Sequence, residues 1–173
     1  MSKPIFLIGP SGVGKTTLGL LACELLAELV FLDLDDLVGT YSGESAGELL
    51  RRVRADSFLC CCRAALQDTM PNSPDQQLIV AVGAGCLDSN RAAQWLGQET
   101  TILITADQDE AHERIRTGRG DSRRREEYKR GEFSSGRRAL YEAANETVDT
   151  SGQTKEQSAA VLVACLRKLG GAS

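Results

Sequence analysis

Nine residues near the N-terminus restrict the fold more than any other part of the chain: Gly9-Pro10-Ser11-Gly12-Val13-Gly14-Lys15-Thr16-Thr17. They fill every fixed position of the G-x-x-x-x-G-K-[ST] phosphate loop. The apolar run Ile5-Phe6-Leu7-Ile8 precedes the loop and reads as a buried strand, and a Leu- and Ala-rich helical pattern covers residues 17–29. A strand, a glycine loop and a helix N-terminus in that order make an anion site. Successive N–H groups point inward, the helix dipole favours negative charge, and glycine lets the backbone approach a phosphate. Gly12, Val13, Gly14, Lys15, Thr16 and Thr17 are therefore expected to cradle a nucleoside triphosphate. Lys15 would reach the β- and γ-phosphates, and the Thr16 hydroxyl would ligate Mg²⁺.

Length and composition narrow the field. At 173 residues the chain is expected to form a single domain over 1–173 with a full core. A net charge of −4 argues against a nucleic-acid partner, since duplex binding rests on Lys and Arg neutralising phosphates. No run approaches the roughly 20 apolar residues of a membrane span. Met-Ser-Lys-Pro runs straight into the first strand and leaves no room for a signal peptide, so the cytoplasm is the expected location. Six cysteines form no C-x-x-C pair, and Cys60, Cys61 and Cys62 point in different directions on a helix. That pattern suits neither a zinc site nor a disulfide framework; two of the three are expected to face the core as small hydrophobes. His112, the lone histidine, reads as a helix surface residue.

Further apolar runs at Leu29–Leu32, Leu78–Val82, Thr101–Ile104 and Thr147–Asp149 alternate with helical patterns. Alternation of this kind requires parallel pairing with right-handed crossovers, hence an α/β fold with helices on both faces of a five-stranded parallel sheet. Ligands gather at the carboxyl ends of such strands. The phosphate loop, Asp33-Leu34-Asp35 and Gly83-Ala84-Gly85 should meet there. Asp33 and Asp35 are read as alternating along the second strand, with their carboxylates on one side. One would hold Mg²⁺ and the other would orient or deprotonate an acceptor hydroxyl, while Asp36 would cap a helix. Gly83 and Gly85 would allow close backbone approach to a ligand. Residues 39–47 read as loop, Asp56 and Asp88 as helix starts, and 71–75 as a turn. The arginine-dense stretch at 118–136 reads as a mobile lid able to bring arginines over a transferring phosphoryl group.

With these pieces placed, the chain resembles the shikimate kinase family of the nucleoside-monophosphate-kinase-like P-loop fold, a three-layer α/β/α arrangement. The resemblance rests on G-P-S-G-V-G-K-T-T, F-L-D-L-D-D-L, I-V-A-V-G-A-G and R-R-A-L-Y-E-A-A-N-E-T-V-D-T. It implies ATP and Mg²⁺ as cofactors, an acceptor region at about 34–62 and a lid at about 118–136. It further implies that Asp35 contacts the acceptor hydroxyl and that Asp33 lies on the magnesium side. Arg137 would bind an acceptor carboxylate, Arg123 would be the lid arginine reaching ATP, and Arg116 would lie near the adenine. Phe58, Gly83, Ala84 and Gly85 would line the acceptor. The chain departs from the family pattern at Leu59, where an arginine is usual, at Cys62 in place of a glutamate, and at Arg123-Arg124-Arg125-Glu126 in place of arginine-proline-leucine-leucine.

The reaction expected is γ-phosphate transfer to the hydroxyl of a small alcohol, shikimate first. A cyclitol or antibiotic kinase, or a degenerate homologue that binds nucleotide in a regulatory role, are the alternatives. A nucleoside monophosphate kinase would need a base-recognition site that no sequence feature announces. A monomer is expected.

Overall fold

A computed structural model of the protein describes residues 3–69, 76–118 and 120–170; the expected turn at 71–75 and Arg119 lie outside these. In chain order the first half comprises β1 (Ile5–Ile8), α1 (Lys15–Leu25), β2 (Leu29–Asp33), α2 (Leu34–Ser42), α3 (Ala46–Arg52) and α4 (Ala55–Thr69). The second half begins with β3 (Gln77–Ala81), a 3₁₀ turn (Ala84–Asp88), α5 (Ala92–Leu96), β4 (Thr100–Thr105) and α6 (Gln108–Gly118). It ends with α7 (Arg125–Glu132), α8 (Ser135–Glu142), β5 (Glu146–Asp149) and α9 (Lys155–Gly170).

The strands form one sheet in the order β2-β3-β1-β4-β5, and every pair is parallel. The continuous apolar runs explain this. All four residues of β1 are buried, and alternate side chains enter different cores. Ile5 and Leu7 join Leu18 and Ala22 of α1 and Leu162 and Leu166 of α9 on one face. Phe6 and Ile8 join Leu34 and Val38 of α2, Phe58 and Leu66 of α4, and Leu140 of α8 on the other. A central strand covered by helices on both faces leaves its carboxyl end as the open place for a ligand.

Four local expectations are corrected. Residues 39–47 are largely helical, because Leu34 and Val38, one turn apart, bury against the α4 side of the core. The helix α2 follows β2 directly, so Asp35 is helical and does not alternate with Asp33 along a strand; Asp33 itself caps α2 by accepting from the Asp35 N–H. Asp36 lies in the first turn of α2 and is not its cap. Asp88 starts no helix; it ends the 3₁₀ turn, and its carboxylate is taken up by Arg137.

Gly9 is where β1 turns into the phosphate loop. Its φ is +141°, and a Cβ there would sit 2.0 Å from the Ile104 carbonyl oxygen of β4. That carbonyl belongs to paired sheet backbone and has little room to give. Gly9→Ala is expected to destabilise the fold by about 3 kcal/mol, a fall in melting temperature of roughly 10 °C in calorimetry. An unchanged melting temperature would show that the turn relaxes freely.

Candidate active site at the carboxyl ends of the strands

The phosphate loop leaves β1 and enters α1 at Lys15, whose ammonium donates to the carbonyls of Gly9 (2.7 Å) and Pro10 (2.8 Å). One residue on, the Thr16 hydroxyl donates to Asp33 Oδ2 at 2.7 Å, while Asp33 Oδ1 accepts from the Asp35 N–H at 3.1 Å. A single capping carboxylate thus joins the loop to the start of α2. Asp35 follows on the same helix and leans against Gly83 beyond β3: a Cβ on Gly83 would fall 2.1 Å from Asp35 Oδ1. Glycine at 83 is what lets the carboxylate occupy that position.

These groups share one cavity of about 370 Å³, lined by Ser11, Gly12, Gly14 to Thr17, Asp33, Asp35, Gly83 and Ala84, with Arg114, Ile115 and Gly118 on the α6 side. Phosphate-binding N–H groups, a cation, a hydroxyl–carboxylate pair and a second carboxylate therefore converge. Thr16 Oγ1 and Asp33 Oδ2 are hard oxygen donors set side by side, suited to Mg²⁺ that draws its other ligands from phosphate and water. Among the described residues no cluster of three or more His, Cys, Asp or Glu could hold a metal.

A second cavity of about 280 Å³ adjoins the first and shares Gly14, Thr17 and Arg114 with it. Thr150, Gln153, Lys155 and Ser158, from the end of β5 into α9, complete it. Arg114 faces both cavities; its guanidinium donates to Thr150 Oγ1 at 3.1 Å and to Glu110 at 3.1 Å. Arg116, expected near the nucleotide base, lines neither cavity and pairs with Glu113 on the exposed side of α6. Two residues on a helix differ by about 200° in direction, so only one of these arginines can face the loop.

The arginine-rich stretch contacts the phosphate loop through α7. Tyr128 of α7 is fully buried, joins the core below α1 and donates its hydroxyl to the Ser11 carbonyl at 2.7 Å; burial pushes its pKa well up. Glu132, 2% exposed, accepts from the Ser11 N–H (3.1 Å), Arg123 Nη1 (3.1 Å) and Arg137 Nη1 (2.8 Å). Arg123 also binds Asp121, which its hydrogen bonds hold below the usual carboxylate range, and its guanidinium lies 5.6 Å from the Tyr128 ring centre. The His112 ring bonds the Arg123 carbonyl at 2.8 Å. Arg123 thus stands beside the phosphate loop without lining its cavity. Nothing in the sequence singled out Glu132 or Tyr128, since their burial becomes visible only in the structure.

The remaining acceptor residues lie apart from the cavity. Phe58 is core, as is Leu59, 2% exposed, in the position of the expected arginine. Gly85 packs on Leu50, where a Cβ would meet Cδ2 at 2.6 Å. Cys62 is buried with its Sγ 3.0 Å from that of Cys86, and this neighbouring thiol, with desolvation behind it, raises the Cys86 pKa. Of the other two neighbours, Cys61 packs half-buried against the same core and Cys60 is exposed, so two of the three face the core. Arg137 is buried on α8, with Nε and Nη2 on the two oxygens of Asp88 (2.8 and 2.9 Å). Burial alone would lower its pKa, but the two carboxylates raise it overall.

The sequence and the architecture are similar to those of known proteins. The family model for shikimate kinase matches residues 11–167. Shikimate kinase 2 of Enterobacter sp. (strain 638) is 28% identical over 180 residues, covering 96% of this chain and 97% of that one. The shikimate kinase of Streptomyces coelicolor is 31% identical over 166 residues, covering 91% and 92%. Among solved structures, the shikimate kinase of Acinetobacter baumannii in complex with shikimate superposes with a TM-score of 0.77 at 21% identity, over 96% of this chain and 94% of that one. That of Aquifex aeolicus gives 0.71 at 22%, over 98% and 99%. The phosphate loop, the parallel sheet and the carboxylates at its edge are those of a small-molecule kinase, and the chain belongs to the shikimate kinase family.

Proposed function

We propose that this protein transfers the γ-phosphate of ATP to a hydroxyl group of shikimate, with Mg²⁺ as cofactor. The observation that carries the reading is the meeting of Lys15, Thr16, Asp33, Asp35 and Gly83 in one cavity at the carboxyl ends of β1, β2 and β3. The loop amides and Lys15 would hold the β- and γ-phosphates, and Thr16 and Asp33 would hold Mg²⁺, which neutralises the charge that builds on the phosphoryl oxygens. Asp35, beyond them on α2, would orient the acceptor hydroxyl in line and accept its proton. The second cavity, with Arg114 and Gln153, has the place and size for the nucleoside. Arg123 would swing from Glu132 onto the transferring phosphate. With Leu59 in the core, Arg137 is the cation assigned to an acceptor carboxylate; it is tied to the loop through Glu132, which also binds Ser11.

None of the described helices is long and apolar enough to cross a membrane, and we assign the protein to the cytoplasm as a monomeric, single-domain enzyme. The test is ADP release from Mg-ATP with shikimate, with the cyclitol myo-inositol, and with no acceptor. Shikimate is expected to raise release by about 100-fold or more over the acceptor-free rate. Stimulation by myo-inositol and none by shikimate would overturn the assigned acceptor and keep the kinase; release that no acceptor changes would overturn both.

A further inference from the structure

The guanidinium of Arg137 is a two-edged group, and the structure shows both edges in use. Its Nη1 donates to Glu132. Its Nε and Nη2, the parallel pair of donors that matches a carboxylate, face the two oxygens of Asp88 at 2.8 and 2.9 Å. An incoming carboxylate therefore meets a place already filled by a carboxylate of the chain itself.

The two internal partners are not equally replaceable. Glu132 is 2% exposed and serves Ser11, Arg123 and Arg137 together, so displacing it would leave a buried charge without its partners. The Asp88 side chain is 46% exposed and stands at the end of the 3₁₀ turn, where water can hydrate it once released. It also lines a cavity of about 220 Å³ with Ser89, Ser134 and Arg137. That cavity is a short step along the chain from Gly83 and Ala84, which line the phosphate cavity at the start of the same turn.

We propose that Asp88 is a specificity-determining residue: an internal stand-in for the acceptor carboxylate that occupies the Nε/Nη2 edge of Arg137 and must be exchanged for it when a carboxylate-bearing acceptor binds. The proposal rests on the reading of Arg137 as the acceptor's cation. Glu132 stays on Nη1 throughout and keeps the guanidinium in plane, so the exchange needs only the half-exposed aspartate to turn outward. Asp88 thereby weakens binding of acceptor carboxylates and leaves uncharged acceptors untouched. It also keeps a buried arginine paired when the site is open.

The experiment is calorimetric titration of shikimate and of its uncharged methyl ester into wild type, Asp88→Asn and Asp88→Ser, with ADP present and thermal melts confirming the fold. Loss of the competing charge is expected to tighten shikimate binding about two- to fivefold in both variants, the size of one partly exposed ion pair, while the methyl ester binds as it does to wild type. Shikimate binding that is unchanged or weaker in both variants overturns the proposal. So does equal tightening of acid and ester, which would show a steric effect and no exchange of charge. Turnover is read separately: tighter shikimate binding in the variants without any shikimate phosphorylation by wild type would remove the shikimate kinase reading and leave the exchange standing.

Discussion

Asp35→Asn is expected to lower kcat by about 10²–10⁴-fold, the range for loss of a positioned general base. Asparagine keeps the shape of the side chain and removes the charge and the capacity to take a proton. The substitution also leaves the cap of α2 in place. The cap of α2 is the Asp33 side chain, and the Asp35 N–H that it receives is present in either variant. Gly83 still offers the space against which residue 35 leans. The melting temperature is therefore expected to stay within about 2 °C of wild type, a change below 1 kcal/mol for a domain of this size. The KM for ATP is expected to change by less than about threefold, because the loop and Lys15 are the groups we propose hold the nucleotide, so the effect belongs to kcat. Steady-state rates over both substrates check this. A loss smaller than tenfold would remove Asp35 from proton transfer.

Lys15→Met is the second large effect, and it differs in kind. The Lys15 ammonium spans the loop, donating to the Gly9 and Pro10 carbonyls; in the working enzyme we expect it to serve the β- and γ-phosphates. Methionine retains the apolar stem and deletes the charge. Loss of one such preorganised cation at developing phosphoryl charge is expected to reduce kcat/KM by about 10²–10³-fold, with Mg-ATP binding weakened as well. Arg114 faces the same cavity but is held by Glu110 and Thr150, so it cannot reach across to compensate. Rates together with ATP titration separate the two contributions. Wild-type kcat/KM in this variant would contradict the phosphate-loop assignment.

What could be read in the sequence was what depends on neighbours in the chain. The phosphate loop is a contiguous pattern, and strands buried on both faces, such as Ile5–Ile8, announce themselves as unbroken apolar runs. The order of those strands then placed the loop, Asp33, Asp35 and Gly83 at one end of the sheet. The spacing of Asp33 and Asp35 pointed to the right pair by the wrong geometry. Gly39, Gly43 and Gly47 suggested a loop, whereas Leu34 and Val38 gain more by burying on one helical face than the glycines cost. Arg116 and Arg114 were separated by helical phase, which a count of positions between motifs does not register.

Pairings between distant segments were out of reach. Glu132 gathers Ser11, Arg123 and Arg137 from three parts of the chain, and Asp88 meets Arg137 across 49 positions. A buried acid looks the same in sequence as a solvated one. Alternating arginines and glutamates give no sign of a buried face, yet Tyr128 and Glu132 hold α7 against the phosphate loop.

The central claim is that one cavity carries a phosphoryl group from ATP to an alcohol. It is tested most directly by incubating the protein with Mg²⁺, ATP labelled in the γ-phosphate and shikimate, and following the label. The label is expected in a phosphate monoester of shikimate, one per ADP formed. Label that stays in ATP, or that appears as inorganic phosphate whether or not shikimate is present, would contradict it.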